Sequence, residues 1–317
     1  MINIVILGCG HIAERIALGI QYSKGNLYSI ASRDKQKAAS FAQKHHISHI
    51  YSYEEAFHDP AVDLIYIATV NPTHVKLAQK ALSHQKHVII EKPLAANSQE
   101  IKELFEIAKQ NHCFLMEAHK TCFTPLQQEL LKRVHEIGPI HTINAQYCAK
   151  FNEENLKEWN VEEKMGGSFY DVGVYPICFA HLYSQSPIKR MNFHVNTYKN
   201  FDCDFECQCQ IEYENGILAT LKSSWLNKEE NKGILIGEKG SIEVTDFWKN
   251  TEAKIVIQGH EERIEVNQKS DFTGEIDHAI DCIQKGLLQS PIMSESFSIH
   301  ISLVLEEMKR QRKKTSS

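Results

Sequence analysis

No apolar run in the chain approaches the about 18 residues that a membrane-spanning helix needs, so a membrane role is not expected. No excess of positive charge is present either. The net charge is −5, which gives no footprint for a nucleic-acid surface. The nine cysteines are odd in number and show no paired spacing, which suits a reducing compartment better than a disulfide framework. No histidine stands at ligand spacing from Cys203, Cys207 and Cys209. They alternate with Asp204, Glu206 and Gln208 and read as the inner face of a half-buried strand, so no metal is expected. The amino terminus carries no basic leader before its first glycine loop, and a cytoplasmic protein is expected. The basic run Lys309-Arg310-Gln311-Arg312-Lys313-Lys314 reads as the solvated end of a helix.

What is present is a globular composition, 42% hydrophobic and 24% charged over 317 residues, enough for two domains. The first, over 1–121, alternates short buried strands with amphipathic helices, the pattern of a doubly wound parallel sheet. Asn3 to Leu7 runs into Gly8-Cys9-Gly10-His11-Ile12-Ala13 and then a helix with Ala13, Ile16, Ala17 and Ile20 on one face. Gly8 allows the tight turn, Gly10 lets backbone approach a pyrophosphate, and Ala13 permits close helix packing, while the helix start at His11 and Ile12 faces the phosphates.

A second strand ends in Ser32-Arg33-Asp34. An acid at such an end accepts from the ribose hydroxyls of NAD, whereas an arginine suits the 2′-phosphate of NADP. Ser32 holds the acid's place and Arg33 follows, which favours NADP, with Asp34 as the cap of the next helix. The alternative keeps NAD and moves Asp34 onto the ribose. Two later strands end at Thr69, ahead of Asn71-Pro72-Thr73-His74, and at Glu91-Lys92-Pro93, where Pro93 invites a cis bond.

From 122 to 317 the pattern changes to alternating strands, an α+β layer with a mostly antiparallel open sheet, and Asn215-Gly216 marks a hairpin. Two helical stretches are expected in it, near Gly166 to Tyr183 and over Ser294 to Arg312. On the first, Asp171 and Tyr175 share a face, and Pro176 requires the helix to begin or kink there.

Gly8-x-Gly10-x-x-Ala13, Asn71-Pro72-x-His74, Glu91-Lys92-Pro93 and Asp171-x-x-x-Tyr175, in this order, resemble the Gfo/Idh/MocA family of oxidoreductases across essentially the whole chain. Tyr175, with Leu115-Met116-Glu117-Ala118 ahead of Phe123-x-Pro125, resembles the dimeric dihydrodiol dehydrogenase and NADP-linked xylose dehydrogenase branch. The resemblance implies a Rossmann domain followed by a substrate and oligomerisation domain, NADP or NAD as cofactor, and a sugar, polyol or cyclic diol as substrate. It also implies a homodimer or homotetramer. Tyr175 is then the general acid/base, Lys92 its cationic helper and Asp171 an orienting carboxylate. Thr69, Asn71, His74, Glu91 and Lys92 join Ser32, Arg33 and the glycine turn at the cofactor, and His119, Lys120 and Phe151 are expected to line the substrate pocket. His119-Lys120-Thr121-Cys122 departs from that branch, so its substrate does not transfer. A cofactor-binding regulator is the alternative class, and the presence of both Lys92 and Tyr175 argues against it.

Overall fold

The computed structural model describes residues 1–162 and 164–315. Residues Ile4, Val5, Ile6 and Leu7 are fully buried, as a strand covered on both faces requires. They belong to β1 (Asn3–Leu7), which is followed by α1 (His11–Gln21), β2 (Asn26–Ala31), α2 (Lys35–His45), β3 (His49–Tyr51) and α3 (Tyr53–His58). β4 (Leu64–Ile67), α4 (His74–Ser83), β5 (His87–Glu91), α5 (Ser98–Gln110) and β6 (Leu115–Ala118) complete the alternation. Among the described residues these strands form a six-stranded parallel sheet in the order β3-β2-β1-β4-β5-β6. The order reverses direction at β1, the position where such sheets open a ligand crevice beyond their carboxyl ends. Helix starts follow the sequence: Ser52 and Glu55 form a capping box for α3, and Asn97 caps α5.

The chain continues with α6 (Pro125–Arg133), β7 (Ile140–Cys148), α7 (Glu158–Val161), a π turn over Phe169–Gly173, and α8 (Val174–Ser184). Then come β8 (Ile188–Thr197), β9 (Asp204–Tyr213), β10 (Leu218–Ser224), β11 (Lys232–Gly237), β12 (Gly240–Thr245), β13 (Glu252–Ile257) and β14 (His260–Glu265). With β7 these form, among the described residues, an eight-stranded sheet in the order β14-β13-β12-β11-β7-β10-β9-β8, antiparallel except for the parallel pair β7 and β10. Cys203, Cys207 and Cys209 are buried in its core, and Gly216 (φ 87°) turns the chain from β9 to β10.

Two helices, α9 (Thr273–Gln284) and α10 (Glu295–Thr315), follow the last strand. The chain divides into two compact units, Met1–Lys120 with Lys269–Ile299, and Thr121–Gln268 with His300–Ser317. The division by chain order at 121 and 122 therefore differs over Lys269–Ile299. The physical reason is helix packing: a Cβ on Gly19 of α1 would lie 2.6 Å from Phe272 Cβ and 3.1 Å from Ile276 Cδ1. Helices α6, α7 and α9 also go beyond the two expected after residue 122, although Ile276, Ala279 and Ile280 of α9 carry the helical spacing.

The basic end of α10 is not simply solvated. Lys309 donates to the Lys164 carbonyl and lies 4.4 Å from the centre of the Tyr170 ring, and Arg312 is buried. The side chains of Lys313 and Lys314 lie outside the described residues. For the packing of α1 on α9, Gly19→Val is expected to lower stability by about 1–3 kcal/mol through overpacking. Urea unfolding measures it, and an unchanged midpoint would contradict that contact.

Candidate active site

In the first unit every cofactor candidate sits at or just beyond the carboxyl end of a parallel strand. Gly8 has φ 102°, and a Cβ there would lie 2.7 Å from the Ala68 carbonyl oxygen, so the turn admits no side chain. Gly10 has open space where its Cβ would be, and it stands at the N-cap of α1 with no side chain capping the helix. His11 and Ile12 open the helix, and Ala13 is fully buried behind them. An uncrowded, uncapped helix start fits the pyrophosphate of a dinucleotide, which the free N–H groups and the macrodipole would hold.

At the end of β2, Ser32 Oγ accepts from Cys9 Sγ–H (3.2 Å) and from the Asp34 N–H (3.1 Å). Arg33 is exposed and lies beside Tyr53, whose phenol burial pushes up and the guanidinium pulls back. Asp34 is the N-cap of α2, accepting from the Gln36 and Lys37 N–H groups at 3.1 and 3.0 Å. The Lys37 N–H above all, against a small cost of burial, holds its carboxyl below the ordinary range. That carboxylate is already engaged by its own helix.

Beyond β4, Thr69 Oγ1 bonds Thr73 Oγ1 (2.7 Å), and Asn71 is half-exposed. His74 is turned inward, with Nδ1 3.1 Å from the Pro93 carbonyl and Nε2 3.0 Å from the Thr69 carbonyl. Two carbonyls ask for a proton on each ring nitrogen, whereas burial favours the neutral ring. Burial prevails and the pKa is lowered, so the imidazole donates to one carbonyl at a time. Its ring ties two loops at the sheet's edge together and offers no exposed face to a ligand.

The Lys92-Pro93 bond is cis, as expected, and the Lys92 side chain is half-buried. Glu91 is buried. The Tyr66 hydroxyl lies 3.0 Å from Glu91 Oε1 and 2.7 Å from Glu275 Oε1, all three side chains being buried. One phenol has one proton to give. Both hydrogen bonds therefore require a proton on one carboxyl. Burial, then the charge of Glu91, pushes Glu275 well above its ordinary value. Glu91 is itself raised by burial, against the opposing charge of Lys92.

His119 and Lys120 are enclosed. His119 is fully buried with Nε2 3.4 Å from Glu117 Oε1, and Glu117 also accepts from the Leu94 N–H (3.1 Å). Lys120 is 3% exposed and donates to Asp271, which also receives Arg15. Burial lowers the Lys120 pKa, against the pull of Asp271. Neither side chain is open to take a ligand in this structure. Asp271 and Glu275, which organise this interior, went unnoticed in the sequence because they sit in the segment that chain order gave to the other domain.

In the second unit, the π turn Phe169–Gly173 carries Asp171 and passes without a break into α8 at Val174, so Pro176, which has no N–H to give, falls just past the junction where the helical repeat changes. Of the two expected outcomes, a start or a kink at Pro176, the chain takes an irregular turn within a continuing helix. A π turn has a wider repeat than an α-helix and often marks a functional site. Asp171 and Tyr175, both half-buried, come from the same continuous helical segment. The Tyr175 ring lies 5.5 Å from Tyr147 and 6.0 Å from Trp248, which stack on each other at 3.7 Å. No local pattern in the sequence marks this aromatic wall. Phe151 packs 4.8 Å from Trp225 in an apolar cluster with Phe205, against which Tyr147 of the aromatic wall also packs. Among the described residues no group of His, Cys, Asp and Glu could hold a metal.

Residues 2–119 match the family model described as an oxidoreductase family with an NAD-binding Rossmann fold, and residues 129–243 match the GFO/IDH/MocA C-terminal domain. The chain is 30% identical over 298 residues to a trans-1,2-dihydrobenzene-1,2-diol dehydrogenase of Xenopus tropicalis, covering 89% of this chain and 88% of that protein. It is 28% identical over 323 residues to the scyllo-inositol 2-dehydrogenase (NADP(+)) IolU of Bacillus subtilis, covering 98% and 97%. A solved aldose-aldose oxidoreductase from Caulobacter crescentus, complexed with glycerol, shares the fold with a TM-score of 0.90 at 22% identity over 99% and 98% of the two chains. The protein therefore belongs to the GFO/IDH/MocA family, as an oxidoreductase with an NAD(P)-binding Rossmann domain.

The buried proton has a pH consequence. Because the folded pKa of Glu275 is raised, its stabilising share is present below the ordinary value of 4.5 and is lost as pH rises through the folded pKa. Glu275→Gln, which keeps a donor toward Tyr66 without titrating, is expected to gain stability relative to the native protein as pH rises. Urea unfolding at about pH 5 and about pH 8 measures the difference. A gap that does not widen with pH would contradict the shared proton.

Proposed function

We propose that this protein is an NADP(H)-preferring dehydrogenase or reductase acting on the CH–OH group of a sugar, polyol or cyclic diol. The observation that carries the cofactor preference is the end of β2: Arg33 is exposed there while the Asp34 carboxylate caps α2. An exposed guanidinium suits a 2′-phosphate, and a carboxylate committed to its own helix is poorly placed to accept from ribose hydroxyls. The glycine turn, Thr69 and Asn71 would hold the rest of the dinucleotide. The substrate class is supported by the diol and inositol named in two relatives.

The cofactor, when bound, supplies a nicotinamide that takes or gives hydride at the carbinol carbon. In the direction of oxidation Tyr175 accepts the hydroxyl proton, and in reduction it returns one to the carbonyl oxygen. A free phenol has a pKa of about 10, so Tyr175 needs a cation to act near neutrality. The family resemblance assigns that role to Lys92, which would stabilise phenolate and polarise the oxygen in reduction. Asp171, four residues from Tyr175 on the same helical segment, orients a substrate hydroxyl. A homodimer or homotetramer in a cytoplasmic setting accompanies this reading.

A turnover screen with NADP and NAD against aldoses, inositols and diols tests it, with Tyr175→Phe alongside. Loss of proton transfer is expected to lower kcat by about 10²–10⁴ while cofactor affinity stays put. Full turnover by Tyr175→Phe would sink the proton-transfer role.

A further inference from the structure

The segment that bears Asp171 and Tyr175 is held by a carboxylate that the reading of the site did not include. Asp204, at the start of β9, is fully buried. Its Oδ2 accepts from Ser168 Oγ–H at 2.6 Å and from the Phe169 N–H at 2.8 Å, the N-cap and the first residue of the π turn. Ser168 Oγ lies a further 2.9 Å from Ser223 Oγ on β10, so the anchor reaches two strands of the sheet. Gly167 (φ 106°) explains the close approach: a Cβ there would be 2.2 Å from Asp204 Oδ1. The Asp171 N–H then bonds the Gly167 carbonyl (3.1 Å), one turn further along. Burial raises the Asp204 pKa, opposed by Ser168, by the Phe169 N–H and by the charge of Arg312 on α10.

We propose that Asp204 is a positioning residue for the reaction: it fixes the entry of the π turn on the sheet and thereby sets the placement of Asp171 and Tyr175. Only one oxygen of Asp204 accepts both bonds, so the geometry asks for an acceptor at that point rather than for a second charge in the site. Gly167 and Ser168 are in this account a docking sequence for Asp204. A helix held this way keeps its side chains within the narrow tolerance that proton and hydride transfer require, and a misplacement of about 1 Å can cost on the order of 10²-fold in rate. The inference rests on the reading that Tyr175 exchanges the proton.

The experiment measures kcat, substrate KM and NADP affinity for Asp204→Ala, Asp204→Asn and Ser168→Ala, with Tyr175→Phe as the control for the underlying reading. Asp204→Ala is expected to lower kcat by about 10- to 100-fold with NADP affinity unchanged, and Asp204→Asn, which retains the accepting oxygen, to restore most of it. Ser168→Ala is expected to fall between them. Native kcat in Asp204→Ala, or an Asp204→Asn as impaired as the alanine variant, would overturn the inference. If Asp204→Ala does not fold, Ser168→Ala decides: native kcat there overturns it, and a loss confined to kcat supports it. A Tyr175→Phe enzyme with full turnover removes the underlying reading instead, which separates the two failures.

Discussion

Between the end of β1 and the start of α1 the backbone must reverse beside β4 with no room for a side chain. The Ala68 carbonyl stands 2.7 Å from where a Cβ on Gly8 would be, and the Gly8 N–H bonds the Ala31 carbonyl on the other neighbouring strand at 2.8 Å. This one crowded turn lies between β2 and β4, at the point where the sheet order reverses. It aims the start of α1 beyond the strand ends, and the other candidate cofactor residues fall at the ends of β2, β4 and β5 because parallel strands in one sheet finish on one edge. The buried groups beneath that edge serve it: His74 ties the loop after β4 to the residue after Lys92, and the Tyr66 hydroxyl joins Glu91 to Glu275.

The second unit solves a different problem. Its candidate residues sit on a helical segment laid against a sheet, so they need a fixed point on that sheet. Asp204 and Ser223 provide it from β9 and β10, and the basic end of α10 adds Lys309 against Lys164 and Tyr170. The π turn and Pro176 then let the chain pass into α8 without an unmet backbone donor at the proline. The aromatic wall of Tyr147 and Trp248 beside Tyr175 gives that face an apolar body with a phenol at its edge.

Local patterns in the sequence were enough for the parallel sheet, the glycine turn, the cap role of Asp34, the cis bond after Lys92 and the hairpin at Gly216. Each depends on a few adjacent residues: a buried run, a glycine forced to positive φ, an acid before a helix. What was not legible depends on long-range pairing. The Tyr66–Glu275 bond spans 209 residues, the Lys120–Asp271 pair 151 and the Ser168–Asp204 pair 36. No periodicity announces which buried acid meets which donor. The enclosed state of His119 and Lys120 has the same origin, because their partners come from elements that only the folded chain brings near. Arg312 looked solvated for a related reason: a basic run at a helix end is ordinarily exposed, and its burial follows from the packing of α10.

In the proposed function, the end of β2 selects NADP through Arg33. Equilibrium titration of NADP and NAD onto the native protein and onto Arg33→Ala tests it most directly. The account predicts tighter NADP binding by the native protein and a preference reduced by about tenfold or more in Arg33→Ala, the size of one charge-assisted contact. Tighter binding of NAD, or a preference for NADP that survives the loss of Arg33, would contradict it.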